Sequence, residues 1–261
     1  MKNLNNRLRT IIAAVMMLLA TLPSLAHDFE VDGIYYNYLD KSAKTVAVTY
    51  KGSDYDSYSN EYTGSITIPS SVTYSGITYS VAEIDFGAFA DCTGLTSITI
   101  PNSVTKIGGA AFGGCTGITE VTIPNSVTEI GWRAFDSCTG LTEVTIPNSV
   151  TEIGYCAFNN TGWYNNQADG VVYINNVLYR YEGTMPEGTS ILIKNGTVSI
   201  SPGAFADCTG LTEVTIPNSV TVIGMGAFKG CTRLKSIIIQ NPDVVIGEDA
   251  IPEGVEVIIE K

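Results

Sequence analysis

The stretch "TEVTIPNSVTEIG" occupies residues 119–131 and recurs letter for letter at 142–154. With Val222 in place of Glu152 it returns as "TEVTIPNSVTVIG" at 212–224. A catalytic site is normally assembled once, so repetition on this scale points first to architecture. The period is 23 residues. Phe89, Phe112, Phe135 and Phe158 are 23 apart, as are Phe205 and Phe228, and Ile251 stands 23 after Phe228. Phe158 and Phe205 lie 47 apart, two repeats plus one residue, so one repeat is partly overwritten by an insertion. The unit reads Leu-x-x-Val-x-Ile-Pro-Asn-Ser-Val-x-x-Ile-Gly-x-x-Ala-Phe-x-x-Cys-Thr-Gly.

Residues 141–163 illustrate the structure of one unit. Val144 and Ile146 alternate with Glu143 and Thr145, the period-two pattern of a strand with one buried face. Pro147 cannot donate to a ladder and Asn148-Ser149 favour a turn, so the strand stops there. Val150 and Ile153 turn inward on a second extended piece, Gly154 bends the chain, and Ala157-Phe158 begin a helical or 3₁₀ turn. In most repeats that turn ends at Gly94, Gly117, Gly140 or Gly210, where a left-handed cap is expected; Arg233 holds the place once. No unit buries its own apolar stripe. Laps stacked about 4.8 Å apart as parallel strands bury each other's columns.

The cysteines follow the repeat. Cys92, Cys115 and Cys138 are spaced by 23, and so are Cys208 and Cys231, which reads as a column of reduced, buried thiols filling the core. Cys156 is out of phase, aligning with Arg133. Nothing in the pattern pairs them, and the spacing matches no zinc site.

Residues 1–26 read as an export signal. Lys2, Arg7 and Arg9 precede an apolar run from Ile11 to Ala20, and Ser24-Leu25-Ala26 fits a cleavage site. The apolar run is short for a membrane span of about 20 residues. The whole chain carries a net charge of −12; removing the three basic residues leaves 11 Lys+Arg against 26 Asp+Glu, or −15. Nucleic acid and anionic lipid would repel such a chain.

The unit "ITEVTIPNSVTEIGWRAFDSCTG" at 118–140 resembles the repeat of BspA-type leucine-rich repeat proteins, also called the Treponema-type repeat. The resemblance covers about 64–256, with Ile-Pro, Ile-Gly, Ala-Phe and Cys in register. "DFEVDGIYYNYL" and "WYNNQADGVVYINNVLYRYEGTMPEGTSILIKNGT" are similar to segments of such proteins from Bacteroides-type bacteria. The resemblance implies a curved solenoid, export, and often a surface role in adhesion to host proteins or other cells. Here the array is expected to be short and without an anchor. The expected fold is therefore an all-β-rich, leucine-rich-repeat-like solenoid of 23-residue laps, each with short parallel strands and a helical or 3₁₀ turn. The expected units are a signal peptide (1–26), a β-hairpin cap (27–63), the solenoid (64–256) and an edge strand (257–261).

Both ends of a stacked sheet need blunting. At the front, "GIYYNYLD" and "TVAVTYKG" read as the cap hairpin, followed by an exposed loop over 53–62; "YSGITYS" lengthens the first lap. At the back, Val255 to Ile259 reads as a last strand, closed by the charges of Glu260 and Lys261. The insertion at 164–187 contains "VVYINNVLYRY", two strands around Asn175-Asn176. Trp163, Tyr164, Tyr173, Tyr179 and Tyr181 gather there. Aromatic rings on a projecting hairpin suit protein or carbohydrate recognition, and the other reading packs them back onto the solenoid.

Glu120, Glu143 and Glu213 share the outward strand face with Thr99, Thr122, Thr145 and Thr215. Glu120 should neighbour Glu143, and Glu129 should neighbour Glu152, like charges that need water or a cation to screen them. Flat ladders of single carboxylates do not converge on Ca²⁺, so no metal site is expected. His27, the only histidine, sits at the expected cleavage point and serves no nucleophile. "GGAAFGG" at 108–114 lacks the Lys-Ser/Thr of a phosphate loop. The sequence thus predicts no catalytic residue, no cofactor, no nucleic-acid partner and no membrane segment after cleavage. It predicts an exported, monomeric binding or adhesion module for host or bacterial surface proteins or glycans. A structural or accessory surface protein is the alternative, and a carbohydrate-active enzyme the weakest reading. Trp163, Tyr164, Tyr173, Tyr179, Tyr181, Glu120, Glu143 and Glu213 are the candidate contacts.

Overall fold

The computed structural model describes residues 27–52 and 60–260. The expected signal peptide and most of the expected 53–62 loop lie outside the described residues. The front cap is an antiparallel meander of β1 (Phe29–Val31), β2 (Ile34–Asp40) and β3 (Thr45–Thr49), one strand more than the expected hairpin. Tyr62, placed by the sequence in an exposed loop, is buried. Its hydroxyl donates to the Thr49 carbonyl at 2.8 Å and accepts from the Tyr35 N–H at 3.1 Å, and its ring lies 4.6 Å from Phe89. A phenol that satisfies two backbone groups of the cap is worth burying.

Strand β4 (Gly64–Thr67) opens the first lap, and β5 (Ser71–Tyr74) with β6 (Ile77–Ile84) form the hairpin that lengthens it. The next three laps each carry two strands. These are β7 (Leu95–Thr99) with β8 (Lys106–Ile107), β9 (Glu120–Thr122) with β10 (Glu129–Ile130), and β11 (Glu143–Thr145) with β12 (Glu152–Ile153). Their second strands continue the cap in the order β1-β2-β3-β6-β8-β10-β12, parallel from β3 onward. A short helix, α1 (Gly162–Asn165), capped by Thr161, leads into β13 (Gly170–Ile174) and β14 (Val177–Glu182). The last laps comprise β15 (Thr189–Leu192), β16 (Ser199–Ile200), β17 (Leu211–Ile216) and β18 (Val222–Ile223), then β19 (Ser236–Ile239), β20 (Val245–Ile246) and β21 (Glu256–Ile259). They stack as the parallel sheets β14-β16-β18-β20 and β15-β17-β19-β21.

The Ala-Phe segment is not a continuous helical turn. Its N–H groups alternate between partners. Ala111, Gly113 and Cys115 bond three residues back, as in a 3₁₀ turn, whereas Ala110, Phe112 and Gly114 bond carbonyls of the following lap at 2.8 Å. Left-handed residues recur at two places in the segment, the later of them held by Asp91, Gly114, Ser137, Asn160, Asp207 and Gly230. That later place is thus three residues before Gly94, Gly117, Gly140 and Gly210, a correction to the sequence reading. Those glycines meet a different demand: a Cβ on Gly117 would lie 2.7 Å from two carbonyl oxygens of the preceding lap, and one on Gly140 would lie 2.4 Å from Thr116 O.

Phe89, Phe112, Phe135 and Phe158 form a parallel ring stack with centroids 5.0, 5.0 and 5.3 Å apart, close to the strand spacing itself. All six cysteines are free and buried. The thiols of Cys115, Cys138 and Cys231 donate to the Phe carbonyl of the preceding lap at 2.9–3.0 Å, which explains why a small donor recurs there. Burial pushes Cys138 and Cys231 up to about 12.

The inserted hairpin does not project. Strand β14 pairs antiparallel with β13 and parallel with β16, so it takes the place of a lap strand. Its two faces serve two cores. Val172, Ile174, Val177 and Tyr179 pack with the front laps, while Val171, Tyr173, Leu178 and Tyr181 pack with the back ones. At the back edge Glu260 accepts a hydrogen bond from Gln240 at 3.0 Å and Val257, Ile258 and Ile259 stay exposed; Lys261, the other charge expected to close that end, lies outside the described residues.

Candidate functional site

The sequence placed its aromatic contacts on the hairpin, and the fold turns them inward. Tyr179 is buried, packs edge-on to Phe158 at 6.0 Å, and its hydroxyl accepts the Phe158 N–H at 2.9 Å. That N–H would otherwise bond the next lap, as Phe135 bonds Ala157. Tyr164 is also buried, donates to the Glu182 carboxylate, and meets Tyr179 at right angles. Burial pushes the Tyr164 and Tyr179 phenols above their ordinary range. Trp163 is half-buried against Phe158. Tyr173 and Tyr181 are half-buried against the back core, where Tyr181 takes the Phe position, its N–H bonding Ala204 O as Phe89 bonds Ala111 O. The rings complete the interrupted core, and they leave little surface for a partner.

The glutamates stay outside. Glu120 and Glu143 are exposed and directly paired across β9 and β11, as the repeat implied. Glu213 is exposed on β17, between Ser190 and Ser236, in a different sheet, so the three do not form one cluster. Glu129 lies between Lys106 and Glu152, and the Lys106 ammonium approaches it at 2.9 Å, supplying the screening cation.

A feature the sequence reading missed lies at the turn after Ile-Gly. In successive laps that position holds Phe86, Gly109, Trp132, Tyr155, Pro202, Met225 and Glu248. The residue after it is left-handed in every case, Gly87 through Asp249, which throws the preceding side chain outward. Trp132, Tyr155 and Met225 are 49%, 43% and 58% exposed. Trp132 lies across Gly109, where a Cβ would come within 2.6 Å of its Nε1, and so reaches Phe86 at 5.8 Å. Tyr155 lies likewise across Gly203.

The hairpin lap opens this column into a groove. Four residues separate Ile from Phe in every other lap, but only Tyr179 and Arg180 separate Leu178 from Tyr181. The chain cuts straight across and omits the turn. A cleft of about 740 Å³ results between Trp132 and Tyr155 on one side and Pro202 and Met225 on the other. A second cleft of about 610 Å³ shares those four residues, so the two are lobes of one groove. The usable signal was composition: inside a nearly constant unit, this variable outward position carries large apolar groups in Phe86, Trp132, Tyr155 and Met225.

The model of the "BspA type Leucine rich repeat region" matches residues 54–182 and 179–252, with six copies of the repeat. The chain belongs to the BspA-type leucine-rich repeat family. No curated protein matches it significantly. Among solved structures, it is similar to a T. pallidum leucine rich repeat protein, at 22% identity over 88% of this chain and 85% of that one, with a TM-score of 0.40. It is also similar to a leucine rich cell surface protein from Faecalibacterium prausnitzii (23% identity, 91% and 89% covered, TM-score 0.33). A leucine-rich repeat protein from Bacteroides ovatus is 22% identical, with 90% and 79% covered and a TM-score of 0.32. At those scores the structures add likeness and no argument.

The BspA-type solenoid is typical of non-catalytic scaffolds. Among the described residues, no group of three or more His, Cys, Asp or Glu could hold a metal ion, and no helix is long and apolar enough to cross a membrane. His27 Nδ1 donates to the Lys51 carbonyl, 2.9 Å away, and the ring packs against Tyr35, a structural place in the cap.

Proposed function

We propose that this BspA-type protein is an exported, non-enzymatic binding or adhesion module for a surface protein or glycan, and that its groove at Trp132, Tyr155 and Met225 is the contact site. The observation that carries the reading is the exposure of three large apolar side chains, Trp132, Tyr155 and Met225, around one preformed cleft. Tyr, Trp and Met are enriched where proteins make contact, and a few such residues hold most of the binding energy. Family membership supports it, since these solenoids form a surface class often involved in adhesion. Export rests on the signal reading of residues 1–26.

The test is a protein and glycan array probed with wild type, with Trp132→Ala/Tyr155→Ala, and with Glu120→Gln/Glu143→Gln/Glu213→Gln. Binding that disappears in the aromatic variant and persists in the glutamine variant supports the groove. The reverse pattern moves the site to the glutamate-bearing strand faces. No binding at all favours an accessory protein without its own ligand. Intact mass of the exported protein should start at His27.

A further inference from the structure

The groove's chemistry narrows its partner. Its less exposed lining residues, Pro202, Gly203 and Ala206, form a floor without side-chain donors or acceptors. A sugar pressed there would bury hydroxyls without partners, which is costly, whereas an aliphatic side chain would bury favourably. Met225, the most exposed wall residue, offers a deformable thioether surface that adapts to apolar side chains.

Charge sits only at the rim. Asp207, Glu248 and Asp249 face one lysine, Lys229, around the larger lobe. Glu129 and Glu152 face Lys106 in the smaller one, where Lys106 pairs directly with Glu129, so two carboxylates share one cation. Arg133, whose guanidinium stands 5.9 Å from the Trp132 ring, is paired with Asp136. The whole chain adds a net −12 behind this rim. Such a field attracts cations and repels anions, and exposed indole and phenol faces also accept cations.

We propose that the groove binds an extended polypeptide segment in which aliphatic residues alternate with lysine or arginine. The aliphatic groups lie between Trp132, Tyr155 and Met225, and the basic groups reach Asp207, Glu248, Asp249 and Glu152. This rests on the groove being the binding site. A cleft of about 740 Å³ accommodates several side chains.

Four probes separate the alternatives: labelled nine-residue peptides alternating Lys/Leu, Lys/Ser or Glu/Leu, and a neutral N-acetylglucosamine oligomer. Affinity is read by anisotropy or competition. Contact is read by acrylamide quenching in a Trp163→Phe background, where Trp132 is the only indole of the two in the chain. The expected result is that Lys/Leu binds at least about tenfold tighter than the other three, shields Trp132, and weakens severalfold as salt rises from 50 to 500 mM. Asp207→Asn/Glu248→Gln/Asp249→Asn changes exposed side chains and should lower that affinity severalfold without altering the circular dichroism. Equal binding of Lys/Leu and Lys/Ser, or of Lys/Leu and Glu/Leu, overturns the proposal, as does no binding of Lys/Leu. Trp132-dependent binding of the oligomer alone overturns the partner class and leaves the groove as the site. Lys/Leu binding that survives Trp132→Ala/Tyr155→Ala refutes both.

Discussion

Phe135→Ala tests the stacked core. The ring is fully buried, with Phe112 5.0 Å away on one side and Phe158 5.3 Å away on the other, both nearly parallel. Truncating such a phenylalanine costs about 3–5 kcal/mol, because transfer energy is lost and the surrounding laps cannot close the hole. With a urea slope of about 2 kcal/mol/M, the midpoint should fall by roughly 1.5–2.5 M. Phe228, which stacks on one ring only, Phe205, should cost less when truncated.

The hairpin adds a second expectation. Because β14 gives one face to each core, damage at Phe135 should stop there. Trp132 and Trp163 both belong to the front half, so tryptophan fluorescence reports that half alone, whereas far-ultraviolet circular dichroism reports both. In Phe135→Ala the fluorescence transition should precede part of the dichroism change. A loss below about 1 kcal/mol would show that the Phe column is not core. Coincident transitions with a large loss would instead show that the two halves fold as one unit.

Three further outcomes follow from the lap contacts. Gly140→Ala should destabilise by about 1–3 kcal/mol in the same urea assay, since its Cβ would stand 2.4 Å from Thr116 O. Tyr179→Phe should cost about 1–3 kcal/mol by leaving the buried Phe158 N–H without its acceptor. Native protein at pH 8 should resist a thiol reagent that modifies it fully in urea. Burial raises Cys138 and Cys231 from 9.0 to about 12, so their protonated form is favoured by the fold. Stability is therefore complete below pH 9 and falls from there to about pH 12, by up to about 1.4 kcal/mol per pH unit for each thiol; a flat profile across that window would refute the burial argument.

What the sequence made legible is what stacking forces every lap to share. Phe89 through Phe158 and Cys92 through Cys138 recur at 23 because each must touch its counterpart one strand spacing away. The left-handed column was also readable in principle: Asp91, Gly114, Ser137, Asn160, Asp207 and Gly230 are mostly residue types that tolerate that backbone. The conspicuous glycines three places later drew attention away, although they answer to carbonyls of the preceding lap. Tyr62 was misplaced, and the hairpin rings were left between two readings, for one common reason. A tyrosine outside the repeat looks exposed until the backbone group its hydroxyl satisfies is known, and for Tyr62 and Tyr179 those groups are long-range in sequence.

The groove escaped notice for the opposite reason. It depends on what one lap lacks, the two residues missing between Leu178 and Tyr181, and that deletion has meaning only once β14 is known to occupy a lap position beside β16. A hairpin reading of Asn175-Asn176 gives the antiparallel partner and is silent on the parallel one. Once β14 is fixed, the missing turn and the gap between Tyr155 and Pro202 are consequences of a single register. The solenoid is thus written in what its laps repeat, and its candidate surface in the outward column after Ile-Gly and in the one lap that lacks its turn.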